Sequence, residues 1–383
     1  MDFDVSDEHL AVKRLAREFV DKEIIPLARV YDEEEKFPFE IMQKLRECGL
    51  FNFPIPEKYG GPGIDKISHA LIVEELARGC AGIATSVEAN SLSAYPILLG
   101  GSEELKNNYL NRLTGENQFA AFALTEPGAG SDVSSMLTTV RRVGDAYILN
   151  GEKCFITNAS VADFYVVLAK QIGLGDPKSF TALVVERGSE GVKVGDKEKK
   201  MGLRASDTSS ITFEEVRIPL GNRIGAEGEG FKIFMKALTY SRPMIGAQAL
   251  GIAQGAYEAA LAYAKERKQF GKSIANFQAI QFMLADMAMN IEAARLLVHK
   301  AVYLLEQGRP SAAHASYAKC FASDTAMKVT VDAVQVFGGY GLCDCGKHGQ
   351  DRRPHPRISR LKRFFHHQGS LASIKCGKRI PGG

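Results

Sequence analysis

The spacing of apolar residues changes twice along this chain, and this change limits the possible folds more than any other feature. From residue 6 to 118, apolar residues recur every three or four positions, which is the period of amphipathic helices. From about residue 119 to 223 the pattern becomes short β-type runs, such as 164–168 and 181–185, separated by turn residues. Beyond residue 228 the helical spacing returns. The sequence therefore predicts helices, then a β region, then helices again.

The predicted fold class is α+β, arranged in three parts. We expect an N-terminal helical domain at residues 1–118, a middle β-barrel or sandwich domain at 119–226, and a C-terminal helical bundle at 227–341. The length of 383 residues agrees with several subdomains rather than one core. Residues 342–383 show no amphipathic period and are not assigned to any domain.

Helix ends are marked by local signals. Ser6 is placed to cap the first helix, because a serine side chain accepts hydrogen bonds from the first free N–H groups. In the third part we predict helices at 244–268, 277–306 and 311–337, the last two ending at glycines. The helix at 277–306 is apolar almost all round, which predicts burial against both the bundle and another subunit.

Charge and cysteine content exclude several classes of protein. The net charge of +3 is misleading, because residues 342–383 carry ten Lys or Arg and two Asp, leaving the first 341 residues with a net charge of −5. That body has no basic footprint for nucleic acid, and no apolar stretch is long enough to span a membrane. The acidic N-terminus lacks signal-peptide features, so we expect a cytoplasmic protein. Scattered cysteines give no metal site.

Four segments carry specific motifs. Residues 122–132 read Phe-Ala-Leu-Thr-Glu-Pro-Gly-Ala-Gly-Ser-Asp, and residues 151–158 read Gly-Glu-Lys-Cys-Phe-Ile-Thr-Asn. Residues 266–278 begin Glu-Arg-Lys-Gln-Phe-Gly-Lys, and residues 335–341 read Gln-Val-Phe-Gly-Gly-Tyr-Gly. In order and spacing these segments resemble the motifs of acyl-CoA dehydrogenases, and the resemblance covers residues 1–341.

The resemblance implies FAD as cofactor. A flavin needs hydrogen bonds to its pyrimidine edge and a flat surface against its ring. By resemblance, the residues around the isoalloxazine ring are Phe122, Leu124, Thr125, Phe155 and Thr157. In the family a second set reaches the adenine and pyrophosphate across a subunit interface, and here it comprises Arg267, Gln269, Phe270, Gln278, Gln335, Gly338 and Gly339. Read without the family, the first set consists of ordinary β formers and Arg267 marks a solvated helix end.

Three further positions are implied to contact the acyl-CoA substrate. Ser131 follows a Gly-Ala-Gly turn and matches a family position that touches CoA; the turn lacks the strand–turn–helix setting of a Rossmann fold, which we reject. Arg242 matches an arginine near the CoA adenosine, although Thr239 stands where an Asp is common. Glu88 matches the floor of the acyl pocket, with a surface carboxylate as an equal alternative.

The catalytic base of the family has no counterpart. The base is usually a Glu in a Tyr-Glu-Gly-Thr segment beyond the Gly-Gly-Tyr-Gly turn, but residues 342–383 contain no Glu and only Asp344 and Asp351 as carboxylates. Another branch of the family takes its base from the position held here by Ser241. We therefore assign no catalytic residue, and interpret residues 342–383 as the translation of a shifted reading frame. Their Cys and His residues are rejected as a metal site.

The resemblance implies an oxidoreductase that forms the 2-enoyl-CoA from a short- or medium-chain acyl-CoA and passes electrons to an electron-transferring flavoprotein. It also implies a homotetramer. The missing base keeps a second hypothesis open, in which the chain is a non-catalytic FAD-binding homologue acting as a scaffold or partner module. An enoyl-CoA reductase or an acyl-CoA oxidase of the same family is a third.

Overall fold

A computed structural model describes residues 5–173 and 179–342. The first part is helical, and Ser6 caps the first helix as predicted, its side chain accepting the His9 N–H. A π-helical turn at Val20–Ile24 follows this helix directly. The helices of this part are α1 Asp7–Phe19, α2 Ala28–Glu33, α3 Phe39–Glu47, α4 Lys66–Gly79, α5 Ala81–Gly100 and α6 Glu103–Gly115.

The predicted β region is confirmed as one eight-stranded sheet. Its strands are β1 Ala120–Ala123, β2 Thr139–Val143, β3 Ala146–Thr157, β4 Phe164–Ile172, β5 Phe180–Glu186, β6 Val192–Lys197, β7 Thr208–Pro219 and β8 Arg223–Ile224. They lie in the order β6-β7-β3-β2-β4-β5-β8, and β1 pairs in parallel with β4. The change of element type agrees with three parts, while the domain limits at 118 and 226 stay predictions.

The strand β4 explains why parts of this region read as uninterrupted apolar runs. Its side chains alternate between the two faces of the sheet. One face packs against α5, α6 and the start of the next long helix, and the other face forms a core within the β region. Because both faces are buried, both sets of side chains must be apolar. The first set is Phe164, Val166 and Leu168, and the second is Tyr165, Val167 and Ala169.

The third part contains the long helices α7 Gly230–Glu266, α8 Gln278–Glu306 and α9 Ala312–Phe337, followed by the short α10 Gly339–Leu342. The prediction that the first of these begins at 244 was wrong, because α7 starts at Gly230 and continues through Pro243. A proline removes one backbone hydrogen bond from a helix, and the packing of α7 against α4, α5, α8 and α9 outweighs that loss. The predicted helices at 277–306 and 311–337 are confirmed within one residue at each end.

The helix α8 is only partly buried by its own chain. Its inner side chains, including Met287, Ile291 and Val298, join the helical core. Its outer face carries four large apolar side chains at intervals of seven residues, and we call this set the α8 stripe. The stripe comprises Phe282, Met289, Leu296 and Tyr303, which are 61%, 63%, 44% and 48% exposed.

Among residues 5–173 and 179–342, no helix is both long and apolar enough to cross a membrane. The same ranges contain no group of three or more His, Cys, Asp or Glu that could hold a metal ion. The Cys343–Cys345 and His366–His367 pairs of the tail lie outside the described residues.

Candidate active site

The residues that follow β1 lie against the second half of β3, and this brings several predicted flavin residues together. The Cys154 N–H donates to the Thr125 carbonyl at 2.9 Å, and the Lys153 ammonium donates to the Leu124 carbonyl at 3.0 Å. Leu124 and Thr125 are therefore neighbours of Phe155, the next residue of β3. The structure thus places three residues of the predicted isoalloxazine set at one site.

A buried ion pair locks these two segments together. Lys153 Nζ lies 2.8 Å from Glu126 Oε1, and their side chains are 0% and 4% exposed. The Glu126 carboxylate also accepts the N–H groups of Leu137 and Thr138, at 2.6 and 3.1 Å. Burial alone would raise the pKa of Glu126, but Lys153 and these N–H donors hold it below the ordinary value. Burial lowers the pKa of Lys153, opposed by Glu126.

Phe155 is held in an unusual backbone conformation that turns its ring outward. The pairing of β3 with β7 shifts register between Lys153 and Ile156, and Phe155 has φ of 55°. A positive φ is rare for an aromatic residue, and bulges of this kind re-aim a side chain. The ring is 65% exposed. A flat apolar surface beside the backbone of Leu124 and Thr125 suits a ring such as the isoalloxazine.

The other two residues of the predicted isoalloxazine set, Phe122 and Thr157, are less exposed than Phe155. Phe122 is half-buried, with its ring centroid 4.5 Å from that of Phe234 on α7. Thr157 ends β3, pairs with Thr208 and stays half-buried. The following residue, Asn158, fixes this strand end by donating from its side-chain amide to the Ser86 carbonyl on α5, at 2.9 Å.

Three of these positioning residues were missed as functional candidates. Glu126, Lys153 and Asn158 lie inside the quoted motifs, but we assigned no role to them. The signal was present, because a charged or amide side chain inside an apolar β run requires a buried partner.

The second predicted set lies at the far end of α7. Arg267 follows this helix, and a hairpin of Lys268–Gln269 with Lys272–Ser273 carries Phe270 at its tip. Phe270 is 91% exposed. A cavity of about 550 Å³ opens beside the hairpin, and its lining includes Tyr263, Arg267, Gln269, Gly338, Gly339 and Tyr340. An arginine guanidinium and the exposed backbone N–H groups of glycines are suited to bind a pyrophosphate.

The remaining two residues of this set lie nearby in sequence but outside the cavity lining. Gln278 is the first residue of α8 and is exposed. Gln335 is exposed on α9, one turn before Gly338. The structure therefore joins the two stretches of chain that this set comes from, and leaves Phe270, Gln278 and Gln335 facing outward.

The three residues predicted to contact the substrate differ in how far they are buried. Ser131 is exposed on the loop after the Gly-Ala-Gly turn, and Arg242 is half-buried on α7. Glu88 is 4% exposed, so the alternative of a surface carboxylate was wrong. It is buried because His69 Nε2 lies 2.8 Å from its Oε1. Ser241 is buried beside the Leu238 carbonyl, 3.4 Å from its hydroxyl, and offers no carboxylate.

Comparison with known proteins identifies the family. The sequence models of the acyl-CoA dehydrogenase N-terminal, middle and C-terminal domains match residues 6–117, 121–216 and 228–365. The "Probable acyl-CoA dehydrogenase FadE25" of Mycobacterium tuberculosis H37Rv is 46% identical over 340 residues, 88% of this chain and 87% of that protein. This chain belongs to the acyl-CoA dehydrogenase family. It is therefore an oxidoreductase of a flavoprotein family of fatty acid metabolism.

Solved structures agree with this assignment. Butyryl-CoA dehydrogenase from Megasphaera elsdenii is 39% identical with a TM-score of 0.87, covering 98% of both chains. A chain from a structure of the electron transferring flavoprotein of Acidaminococcus fermentans is 42% identical with a TM-score of 0.88, again over 98% of both chains. The C-terminal match reaches residue 365, into the segment where we expected no likeness to the family.

The buried ion pair of this acyl-CoA dehydrogenase gives a testable prediction. Lys153→Met leaves the Glu126 carboxylate buried without its cation, so we expect a loss of about 3–5 kcal/mol in the free energy of unfolding. Glu126→Gln combined with Lys153→Met should recover part of the loss, because no unpaired charge remains. Urea unfolding of the three proteins measures both effects.

The matched control is Lys193→Met, which breaks an ion pair with Glu214 in which both side chains are more than half exposed. That change should alter stability little, since exposed pairs contribute little. Equal losses at positions 153 and 193 would contradict the role given to the buried pair.

Proposed function

We propose that this chain binds FAD and holds the acyl group of a short- or medium-chain acyl-CoA for α,β-dehydrogenation to the 2-enoyl-CoA. The observation that carries the proposal is the outward-facing Phe155 ring at the β3 bulge, set beside Leu124 and Thr125, which follow β1. An exposed phenyl ring on a strained backbone is costly unless something covers it, which favours a ligand site. The name of the butyryl-CoA dehydrogenase relative supports a short acyl group.

FAD, when bound, supplies a hydride acceptor for the β carbon. The described residues can hold and orient the reactants: Phe155 offers a stacking surface, while Leu124 and Thr125 offer backbone groups. Removal of the α proton needs a carboxylate of raised pKa. Ser241 cannot act in that way, and the glutamate that usually serves as the base of the family has no counterpart beyond residue 341, since that stretch has no Glu. We therefore propose that the chain as written binds its ligands without efficient proton removal.

A variant can supply the missing group. Ser241→Glu places a carboxylate on α7, at the position from which another branch of the family takes its base. We expect anaerobic addition of butyryl-CoA to bleach the flavin absorbance of this variant at least about 100-fold faster than that of the original chain, the usual contribution of a positioned base. Stopped-flow absorbance measures the rate.

Ser241→Gln is the control, because it adds the same volume without a base. Equal bleaching by the Glu and Gln variants would contradict the role of position 241. If FAD binds and no acyl-CoA from four to eight carbons bleaches the Glu variant, the non-catalytic hypothesis replaces this one. Transfer of electrons to an electron-transferring flavoprotein, which the Acidaminococcus relative supports, is tested with the reduced variant.

We also propose that the chain works as an oligomer, with a homotetramer as the family implies. Phe234, against the Phe122 ring, and Tyr263, in the cavity lining, are 29 residues apart on α7, or roughly 40 Å along a helix. One extended flavin dinucleotide is shorter than this. Both residue sets can therefore serve one FAD only if the hairpin of one copy meets the sheet of another. The α8 stripe provides an apolar surface for such contact.

The stripe can be tested directly. Replacing Phe282 and Met289 together by Glu should dissociate the oligomer, because buried charges without partners oppose association. It should also weaken FAD binding, since the hairpin of the neighbouring copy is lost. Light scattering and FAD fluorescence measure the two effects.

Leu15→Glu is the control, since Leu15 is an exposed leucine on α1. It should leave the mass unchanged. An unchanged mass for the Phe282 and Met289 double variant would show that the stripe is not the interface.

A further inference from the structure

One peptide group at the proposed flavin site, that of Leu124 and Thr125, is hydrogen-bonded to a buried charge. Its carbonyl oxygen, on Leu124, accepts from the Lys153 ammonium at 3.0 Å. Lys153 is 0% exposed and lies two residues before Phe155 on β3. The ion pair with Glu126 holds two segments together, but this further contact sets the ammonium against a backbone group that is proposed to bind FAD.

The N–H of the same peptide group, on Thr125, has no acceptor among the described residues. The described peptide bonds are all trans, so this N–H points away from the Leu124 carbonyl and from the Lys153 ammonium bonded to it. Thr125 is half-buried, and a backbone N–H in such a position requires water or a ligand as its acceptor. The geometry therefore leaves a donor on the side of the peptide opposite to the buried charge.

The charges around this peptide are arranged asymmetrically. The Glu126 carboxylate lies 2.8 Å from Lys153 Nζ and also accepts two backbone N–H groups of the loop that follows. These donors draw its negative charge toward the loop, while the ammonium is bonded to the Leu124 carbonyl. A hydrogen bond from an ammonium polarises a peptide group, and hydrogen bonds in a chain strengthen one another in a low-dielectric interior. The Thr125 N–H is therefore a stronger donor than an ordinary backbone amide.

Such a donor can distinguish the two redox states of a flavin. Uptake of two electrons and one proton gives the pyrimidine edge of the ring a negative charge, whereas the oxidised ring is neutral, and protein groups near this edge tune the electronics of the cofactor. A hydrogen bond to a charged acceptor is roughly twice as strong as one to a neutral acceptor. A polarised Thr125 N–H therefore favours reduced over oxidised FAD.

Resting on the proposed function, we propose that Lys153 is a positioning residue that raises the reduction potential of bound FAD. It acts through the Leu124–Thr125 peptide and does not itself contact the flavin, since its ammonium is buried on the other side of that peptide. A raised potential favours the transfer of two electrons from an acyl-CoA to FAD. If the pair with Glu126 were only structural, its removal would change stability and leave the potential unaltered.

The test is the midpoint potential of the FAD-loaded protein, measured by anaerobic titration with dithionite and a reference dye, which requires neither substrate nor the missing base. In Lys153→Met we expect reduced FAD to bind about tenfold less tightly relative to oxidised FAD, because the donor loses its polarising charge. For two electrons this lowers the midpoint potential by about 30 mV. Glu126→Gln combined with Lys153→Met should show the same decrease, although it recovers part of the stability.

Lys193→Met is the control, because it removes an exposed lysine on β6 and should leave the potential unchanged. Thermal melts identify any variant that fails to fold. The double variant contains no unpaired buried charge at this site, so it decides the question alone if Lys153→Met does not fold.

An unchanged potential in the double variant would overturn the inference, and so would an equal decrease in Lys193→Met. A double variant that folds but binds FAD in neither redox state also overturns it, because Lys153 would then form the site rather than tune it. If the original chain does not bind FAD, the proposed function fails together with the inference. FAD binding with a potential that is independent of Lys153 overturns only the inference.

Discussion

The arrangement of this protein depends on the packing of α7, a rod of 37 residues or about 55 Å. Its start lies against the sheet so closely that a Cβ at Gly230 would be 2.6 Å from the Ala182 nitrogen. Its middle crosses α4 so closely that a Cβ at Gly251 would be 2.0 Å from the Glu74 carbonyl oxygen. Both crossings therefore require glycine. Because α7 touches the sheet, α4 and the bundle, its position fixes theirs relative to one another.

The same helix contributes residues to both regions on which function is proposed. Tyr240, whose ring lies against Tyr95 of α5, and Ser241 are in its first third, and Tyr263 lines the cavity at its far end. A rigid rod holds these two regions apart. The proposal of a second copy of the chain thus rests on helix geometry, as well as on the apolar surface of α8.

The order of helices and strands could be predicted largely from the spacing of apolar residues. The burial of charged side chains could not be predicted in this way. The runs at 164–168 and 181–185 predicted β4 and β5, since apolar β formers bounded by turns have few other solutions. In contrast, α4 is buried on nearly every side, with Glu74, Glu75 and Arg78 inside it. Glu75 and Arg78 pair with each other within α4, but Glu74 takes its partner from a distant element, since Arg295 of α8 lies 3.1 Å away. Periodicity within one segment contains no information about such partners.

The candidate site was predicted by motif and corrected by geometry. Motif order placed Leu124, Thr125 and Phe155 in one site, and their adjacency agrees with that. The bulge that exposes Phe155 depends on a register shift against β7, more than fifty residues further along, which no local pattern encodes. Glu88 was misjudged as equally a surface group for the same reason, because its partner His69 lies on another helix.

Binding and proton removal depend on different stretches of this chain. Every residue proposed to hold the flavin ring or the acyl group lies at or before Arg242, and the cavity residues end at Tyr340. The family's usual base would follow later, in a stretch without Glu. Within residues 5–173 and 179–342, the core that joins α7, α8 and α9 is built from side chains that precede that stretch. The residues proposed to bind the flavin and the acyl group are therefore separate in sequence from the position of the family's usual base.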